Sequence, residues 1–185
     1  MKIMFPQHLG QDIRIVALDV DGVLTDGIIH LDAQGEEHKR FHVSDGLGIR
    51  LLLEAGVHVG MISARSSPSV AFRARELSLS FVHQGVQGSK WECLHKELRQ
   101  RGLEAAQCAA MGDDWVDLDI LCRVGLATAP RDARAEVRQR VHWVAQASGG
   151  RGAVRELAEE LLMAQGKWDA AVAGFLPGRA RADSG

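Results

Sequence analysis

The stretch Ile13-Arg14-Ile15-Val16-Ala17-Leu18-Asp19-Val20-Asp21-Gly22-Val23-Leu24-Thr25-Asp26-Gly27 runs from an apolar segment directly into three carboxylates on a turn punctuated by glycine. A short run of this kind, rich in Ile and Val, reads as a strand buried on both faces of a parallel sheet. The carboxylates then emerge at its carboxyl end, where open α/β sheets place their ligands. Acids grouped in such a crevice need a proton or a cation. A hard divalent ion such as magnesium, which takes oxygen ligands and keeps waters and phosphate oxygens in its shell, is the fitting partner.

Outward from this turn, the pattern alternates strand and helix. Residues 28–31 and 36–41 flank Asp32-Ala33-Gln34-Gly35 as a small hairpin insertion. Asp45 is placed to cap a helix that carries Leu47, Leu51 and Leu52 on one face and stops at Gly56. Strands are expected at 57–62, 80–83, 107–111, 125–128 and 141–144. The intervening helices include one opened by Ser67 and Pro68, and one in which Ser89 and Glu92 form a capping box around Lys90. A last helix is expected at 152–164. The whole predicts an α/β fold, a Rossmann-like three-layer αβα sandwich on a parallel sheet, without a cap domain. Residues 1–168 form one domain in this reading, and 169–185, mostly Ala, Gly, Arg and Asp, a frayed tail.

Composition narrows the partners. With 22 basic and 24 acidic residues the chain has a net charge of −2, which gives no electrostatic case for nucleic acid or an anionic membrane. Three cysteines, Cys93, Cys108 and Cys122, show neither a disulfide framework nor a zinc spacing. The first residues lack a signal-peptide pattern, and no apolar run is long enough for a membrane span. The expectation is a cytoplasmic protein acting on a small polar molecule.

Four polar groups fall at successive strand ends: Asp19 with Asp21, Ser63, Lys90, and Asp113 with Asp114. Phosphoryl transfer needs a nucleophile, a proton donor and acceptor, a metal, and donors for the phosphate oxygens. Asp19 is placed to attack phosphorus and form an aspartyl phosphate. Asp21, two residues on, can serve the leaving oxygen as acid and then water as base. Ser63 and Lys90 hold the transferring group, with backbone N–H groups around Gly22 and with Arg65 nearby. Asp113 completes the magnesium site, supported by Asp114 or Asp117 from behind. Arg151, in the glycine-rich start of the last helix, is a candidate for a substrate carboxylate or phosphate.

The gaps from Asp19 to Ser63 and from Ser63 to Lys90 leave no room for a lid domain. A site so open to water calls for a cover from a neighbouring subunit.

This order of motifs resembles the haloacid dehalogenase superfamily of phosphotransferases. The strings Ser44-Asp45-Gly46-Leu47-Gly48-Ile49-Arg50, Gly112-Asp113-Asp114, Gly149-Gly150-Arg151-Gly152-Ala153-Val154-Arg155-Glu156 and Leu162-Met163-Ala164-Gln165-Gly166-Lys167 are similar to its capless sugar-acid phosphatases. The resemblance covers about residues 12–169. It implies magnesium-dependent release of phosphate from an eight-carbon sugar acid used in lipopolysaccharide assembly. It also implies that Asp19 is nucleophile and ligand, that Asp21 binds metal through its carbonyl, and that Asp113 is the third ligand. A homotetramer whose 28–41 hairpins pack together is implied as well. Ser44 stands where some relatives carry arginine. A nine-carbon sialic-type sugar-acid phosphate is an alternative substrate. A receiver domain of a signalling pathway is an alternative of another class, although receivers pair adjacent acids after the first strand.

Overall fold

A computed structural model describes residues 4–176. Six strands form one parallel sheet: β1 Ile15–Leu18, β4 His58–Ile62, β5 Phe81–His83, β6 Cys108–Met111, β7 Leu126–Ala129 and β8 Trp143–Val144. Their order is β5-β4-β1-β6-β7-β8. The short strands β2 His30–Leu31 and β3 Glu37–His38 pair antiparallel as a separate hairpin. The helices are α1 Gln7–Gly10, α2 Val43–Glu54, α3 Pro68–Glu76, α4 Lys90–Arg101, α5 Leu118–Leu121, α6 Ala135–Arg138, α7 Ala153–Ala164 and α8 Trp168–Ala173.

The expected sandwich is present, and β1 is its axis. All four of its residues are buried, and it pairs in parallel with β4 on one side and β6 on the other. The chain fills one half of the sheet through β4 and β5, then crosses to fill the other from β6. The crevice between β1 and β6 is thus a switch point of the kind that binds ligands.

Side chains alternate across the strands. Val16 and Leu18 join the core under α2, α3 and α7, while Ile15 and Ala17 face the core built with Leu94, Leu98, Ile120 and Val137 on the other side. Leu157 and Leu161 of α7 are fully buried, each stabilising the fold by about 2 kcal/mol through apolar burial.

Several local expectations change. The hairpin strands are two residues long each, because Asp32 Oδ1 draws in the N–H groups of Gln34 and Glu36 and tightens the turn early. Asp45 does not cap its own helix, which starts at Val43 after His42. Its buried carboxylate instead accepts from Gly152 N at 3.2 Å and Arg155 N at 2.8 Å, closing the amino end of α7. Gly152, at φ +105, has no side chain with which to do so. Residues 169–173 are helical rather than frayed, because Trp168 and Ala171 pack on the core and Lys167 Nζ donates to Ala55 O at 2.8 Å. Residues 177–185 of the expected tail lie outside the described residues.

Candidate active site

Asp19, Ser63 and Asp113 leave the sheet at the same edge. The ladder of β1 ends where Asp19 N donates to Met111 O at 3.0 Å, that of β4 where Ser63 N donates to His83 O at 2.8 Å, and that of β6 where Gly112 N donates to Thr128 O at 3.2 Å. Lys90 arrives from behind β5 as the first residue of α4, with Ser89 Oγ accepting from Glu92 N as its cap.

These elements bring four charges together. Lys90 Nζ donates to Asp19 Oδ1 at 2.7 Å and to Asp117 Oδ1 at 2.6 Å. Carboxylate oxygens of Asp19, Asp113 and Asp117 lie within 4.8 Å of one another. Gly22 makes the approach possible: it sits at φ +95, and a Cβ there would come within 2.1 Å of Asp113 Oδ2.

The cluster is crowded with negative charge. Burial, then the charge of Asp117, pushes Asp19 up to about 7 despite Lys90 and the Val20 N–H. Burial, then Asp19, Asp117 and Asp114, pushes Asp113 up to about 8. Burial alone would lower Lys90, but Asp19 and Asp117 outweigh it and its pKa is raised. One lysine does not neutralise three crowded, largely shielded acids, and the donor set is all oxygen. Both facts fit a hard divalent cation.

Other expected residues stand elsewhere. Asp117, placed by sequence behind the metal, is in the cluster itself, and its Oδ2 also accepts from Asp113 N at 2.9 Å and Asp114 N at 3.2 Å. Asp114 caps the short turn that follows, accepting from Trp115 N at 2.7 Å. The Gly22 N–H is directed within its own turn, to Thr25 Oγ1 at 3.4 Å, rather than outward as a phosphate donor. Ser63 is buried at its strand end, where its Oγ accepts from Arg65 N at 3.1 Å. The Arg65 guanidinium turns to Glu37 at 2.6 Å. Arg151 is 61% exposed at the rim, 3.9 Å from Asp26.

Asp21 has a partner that sequence reasoning missed. Lys39, at the exit of the hairpin, reaches back and pairs with both Asp21 and Glu37. Burial alone would lower its pKa, but these two carboxylates outweigh that and hold it raised. The period-two spacing of Glu37 and Lys39 put both on one hairpin face, and only the folded contact shows which face meets the turn. A cavity of about 680 Å³ opens beside Lys39, walled by Phe41, Val43, Phe72, Arg73 and Arg75 among others.

Fold and site define a capless α/β domain of the haloacid dehalogenase type. No protein-family model matches the chain. It is 41% identical over 157 residues to the 3-deoxy-D-manno-octulosonate 8-phosphate phosphatase of Haemophilus influenzae, covering 85% of this chain and 87% of that protein. The crystal structure of the Moraxella catarrhalis phosphatase of the same name, in complex with a magnesium ion, a phosphate ion and a KDO molecule, is similar at TM-score 0.89. It is 36% identical, with 92% of this chain and 97% of that one covered. The cobalt-bound Haemophilus influenzae structure is similar at TM-score 0.84 and 40% identity, covering 88% and 94%. The chain belongs to the 3-deoxy-D-manno-octulosonate 8-phosphate phosphatase family, which sets aside the receiver-domain reading.

Proposed function

We propose that this chain is a magnesium-dependent phosphatase that converts 3-deoxy-D-manno-octulosonate 8-phosphate and water to the free sugar acid and inorganic phosphate. The observation that carries the reading is the cluster of Asp19, Asp113 and Asp117 around Lys90, in a chain whose relatives carry that name.

Asp19, Asp113 and the carbonyl of Asp21 would hold the ion, with Asp117 beside them. When bound, magnesium neutralises phosphate charge and fixes the phosphoryl group for in-line attack. An Asp19 carboxylate oxygen bonds to phosphorus as the bond from phosphorus to the sugar oxygen breaks, and Asp21 gives its proton to that oxygen. Asp21 then takes a proton from water, whose oxygen displaces Asp19 and frees phosphate. The first step needs Asp21 protonated, so its ion pair with Lys39 has to give way once substrate is seated. Ser63 and Lys90 hold the phosphoryl oxygens. The cavity beside Lys39 suits the sugar acid, because Arg73 and Arg75 in its wall offer cations to a carboxylate.

The reading extends to a cytoplasmic homotetramer serving lipopolysaccharide precursor synthesis. Exposed Ile28, Ile29 and Leu31 on the hairpin, with Val43 and Phe72 near it, support packing against neighbouring copies that cover the site and bring it close to Arg151. Free Cys93, Cys108 and Cys122 suit a reducing compartment. No helix among the described residues is long and apolar enough to cross a membrane.

The test is steady-state phosphate release from phosphorylated eight- and nine-carbon sugar acids, in magnesium and in chelator. The eight-carbon substrate turns over fastest, and only with magnesium. Asp19→Asn lowers kcat on the order of 10⁴-fold or more. Preference for the nine-carbon substrate overturns the substrate, and undiminished turnover by Asp19→Asn overturns the nucleophile.

A further inference from the structure

Lys90 is flanked on both sides by residues tied to a single oxygen of α5. Ser89 Oγ donates to Asp119 Oδ2 at 2.6 Å, and the Trp91 N–H donates to the same oxygen at 3.1 Å. Two of the unpaired N–H groups in the first turn of α4 are thereby satisfied, that of Glu92 by Ser89 and that of Trp91 by Asp119.

The arrangement answers an electrostatic difficulty. Lys90 puts a buried cation at the end of a helix whose own dipole is positive there, and Asp119 places a carboxylate at that same end. Burial tends to raise Asp119, but its bonds from Ser89, Trp91 and Arg123 outweigh this and hold its carboxyl below the ordinary value. Arg123 closes the outer side, pairing with Asp119 and lying 5.8 Å over the Trp91 ring. Asp119 also belongs to the segment that carries Asp113 and Asp117, whose backbone and side chains are bonded to each other.

We infer that Asp119 is a positioning residue: by gripping Ser89 and Trp91 it fixes Lys90 against Asp19 and Asp117, and so sets where a phosphoryl group is held. The inference rests on the phosphatase reading for the role of Lys90. It adds that α4 and the segment after β6 are held in register by a side chain that touches neither substrate nor metal.

The test uses the full chain in magnesium, with kcat on the sugar-acid phosphate and calorimetric binding of orthophosphate. Asp119→Ala lowers kcat about 10- to 100-fold, the scale of a small misplacement of a reacting group, and weakens orthophosphate in parallel while magnesium affinity is unchanged. Asp119→Asn keeps an oxygen acceptor and recovers most of the loss. Arg123→Ala, which leaves the Ser89 and Trp91 bonds to Asp119 in place, costs much less than Asp119→Ala in both readouts. In a Lys90→Met background Asp119→Ala costs nothing further, whereas a merely structural role adds its full loss. Ser89→Ala removes the bond to Asp119 together with the cap on Glu92 N, whereas Glu92 keeps that cap in Asp119→Asn; should Asp119→Ala not fold, the loss in Ser89→Ala set against the recovery in Asp119→Asn carries the test. Wild-type kcat and orthophosphate affinity in the Asp119 and Ser89 variants overturn the inference, as does an undiminished loss in the Lys90→Met background. A wild-type chain that binds orthophosphate but hydrolyses no sugar-acid phosphate overturns the phosphatase reading alone, because the orthophosphate arm still reports on Asp119.

Discussion

Between β1 and the hairpin of β2 and β3 the chain passes from a strand buried at every residue and bonded on both sides to two-residue strands, with Leu31 exposed in β2 and Ile29 exposed just before it. The first holds Asp19 through backbone ladders and a packed core. The second holds Asp21 through the Lys39 ion pair at the hairpin's exit, braced by Glu37 and Arg65. The proposed nucleophile is thus fixed by the fold itself, while its proposed acid/base partner is fixed by an insertion that the core barely constrains. Rigid elements suit a group that must meet phosphorus in line. A lightly tethered one suits a group that must trade protons and partners during the cycle.

The largest effect expected on the sheet side of this contrast is removal of the cation. Chelator abolishes turnover, and pH shows why. Burial, with the neighbouring carboxylates, pushes Asp19 up to about 7 and Asp113 up to about 8 in the fold, from an ordinary 3.8 for each. The folded protein therefore holds more protons than the unfolded chain between these values, and the stability of the ion-free protein falls as pH rises across that window. Magnesium binds the ionised carboxylates and relieves this, so it raises Tm more at about pH 8 than at about pH 6, and its binding near neutral pH releases protons. Calorimetry in buffers of different ionisation enthalpy measures the protons. A magnesium-induced Tm gain that is flat with pH breaks the account of the cluster.

Next in size is the helical layer behind the sheet. Asp45→Ala strips Gly152 N and Arg155 N of their buried acceptor, at a cost of about 2 kcal/mol. Chemical denaturation reads this directly, and kcat of the folded fraction is unchanged, because the damage lies in how α2 and α7 are joined. A loss of kcat without loss of stability places Asp45 in the site instead.

What could be read from the chain follows the range of the forces. The strand expected at 13–18, the cap at Ser89 and the proline at position 68 announce themselves within a few residues; the strand forms over Ile15–Leu18, and the cap and the proline start are present. Once the strands are ordered in parallel, Asp19, Ser63, Lys90 and Asp113 must share an edge. The partners of Asp45, Asp21 and Trp91 lie 107, 18 and 28 residues away in sequence, and nothing local marks them. Asp45 illustrates the point: an acid near a helix start reads as that helix's cap, yet its geometry serves another helix. Asp117 was legible in part, since four residues after Asp113 it returns to the same face of a helical turn. The α8 helix, short and rich in alanine, has weak periodicity, and its order comes from Trp168 meeting the core.

The smallest effect tests the hairpin side. The Lys39 side chain is 3% exposed and bridges Asp21 and Glu37. Lys39→Met keeps the stem and removes the charge. Desolvating a lysine opposes folding while its two ion pairs favour it, and Glu37 retains Arg65, so stability changes by less than about 1 kcal/mol. Turnover falls about 10-fold, equivalent to about 1.4 kcal/mol of transition-state stabilisation, with kcat bearing the loss if Lys39 sets the place of Asp21, and KM bearing it if Lys39 meets substrate in the cavity. Stability and turnover thus separate in opposite senses at the two positions: Asp45 loses the first and keeps the second, whereas Lys39 keeps the first and loses part of the second. A Lys39→Met protein that unfolds as readily as Asp45→Ala erases the distinction between a packed frame and a lightly tethered insertion.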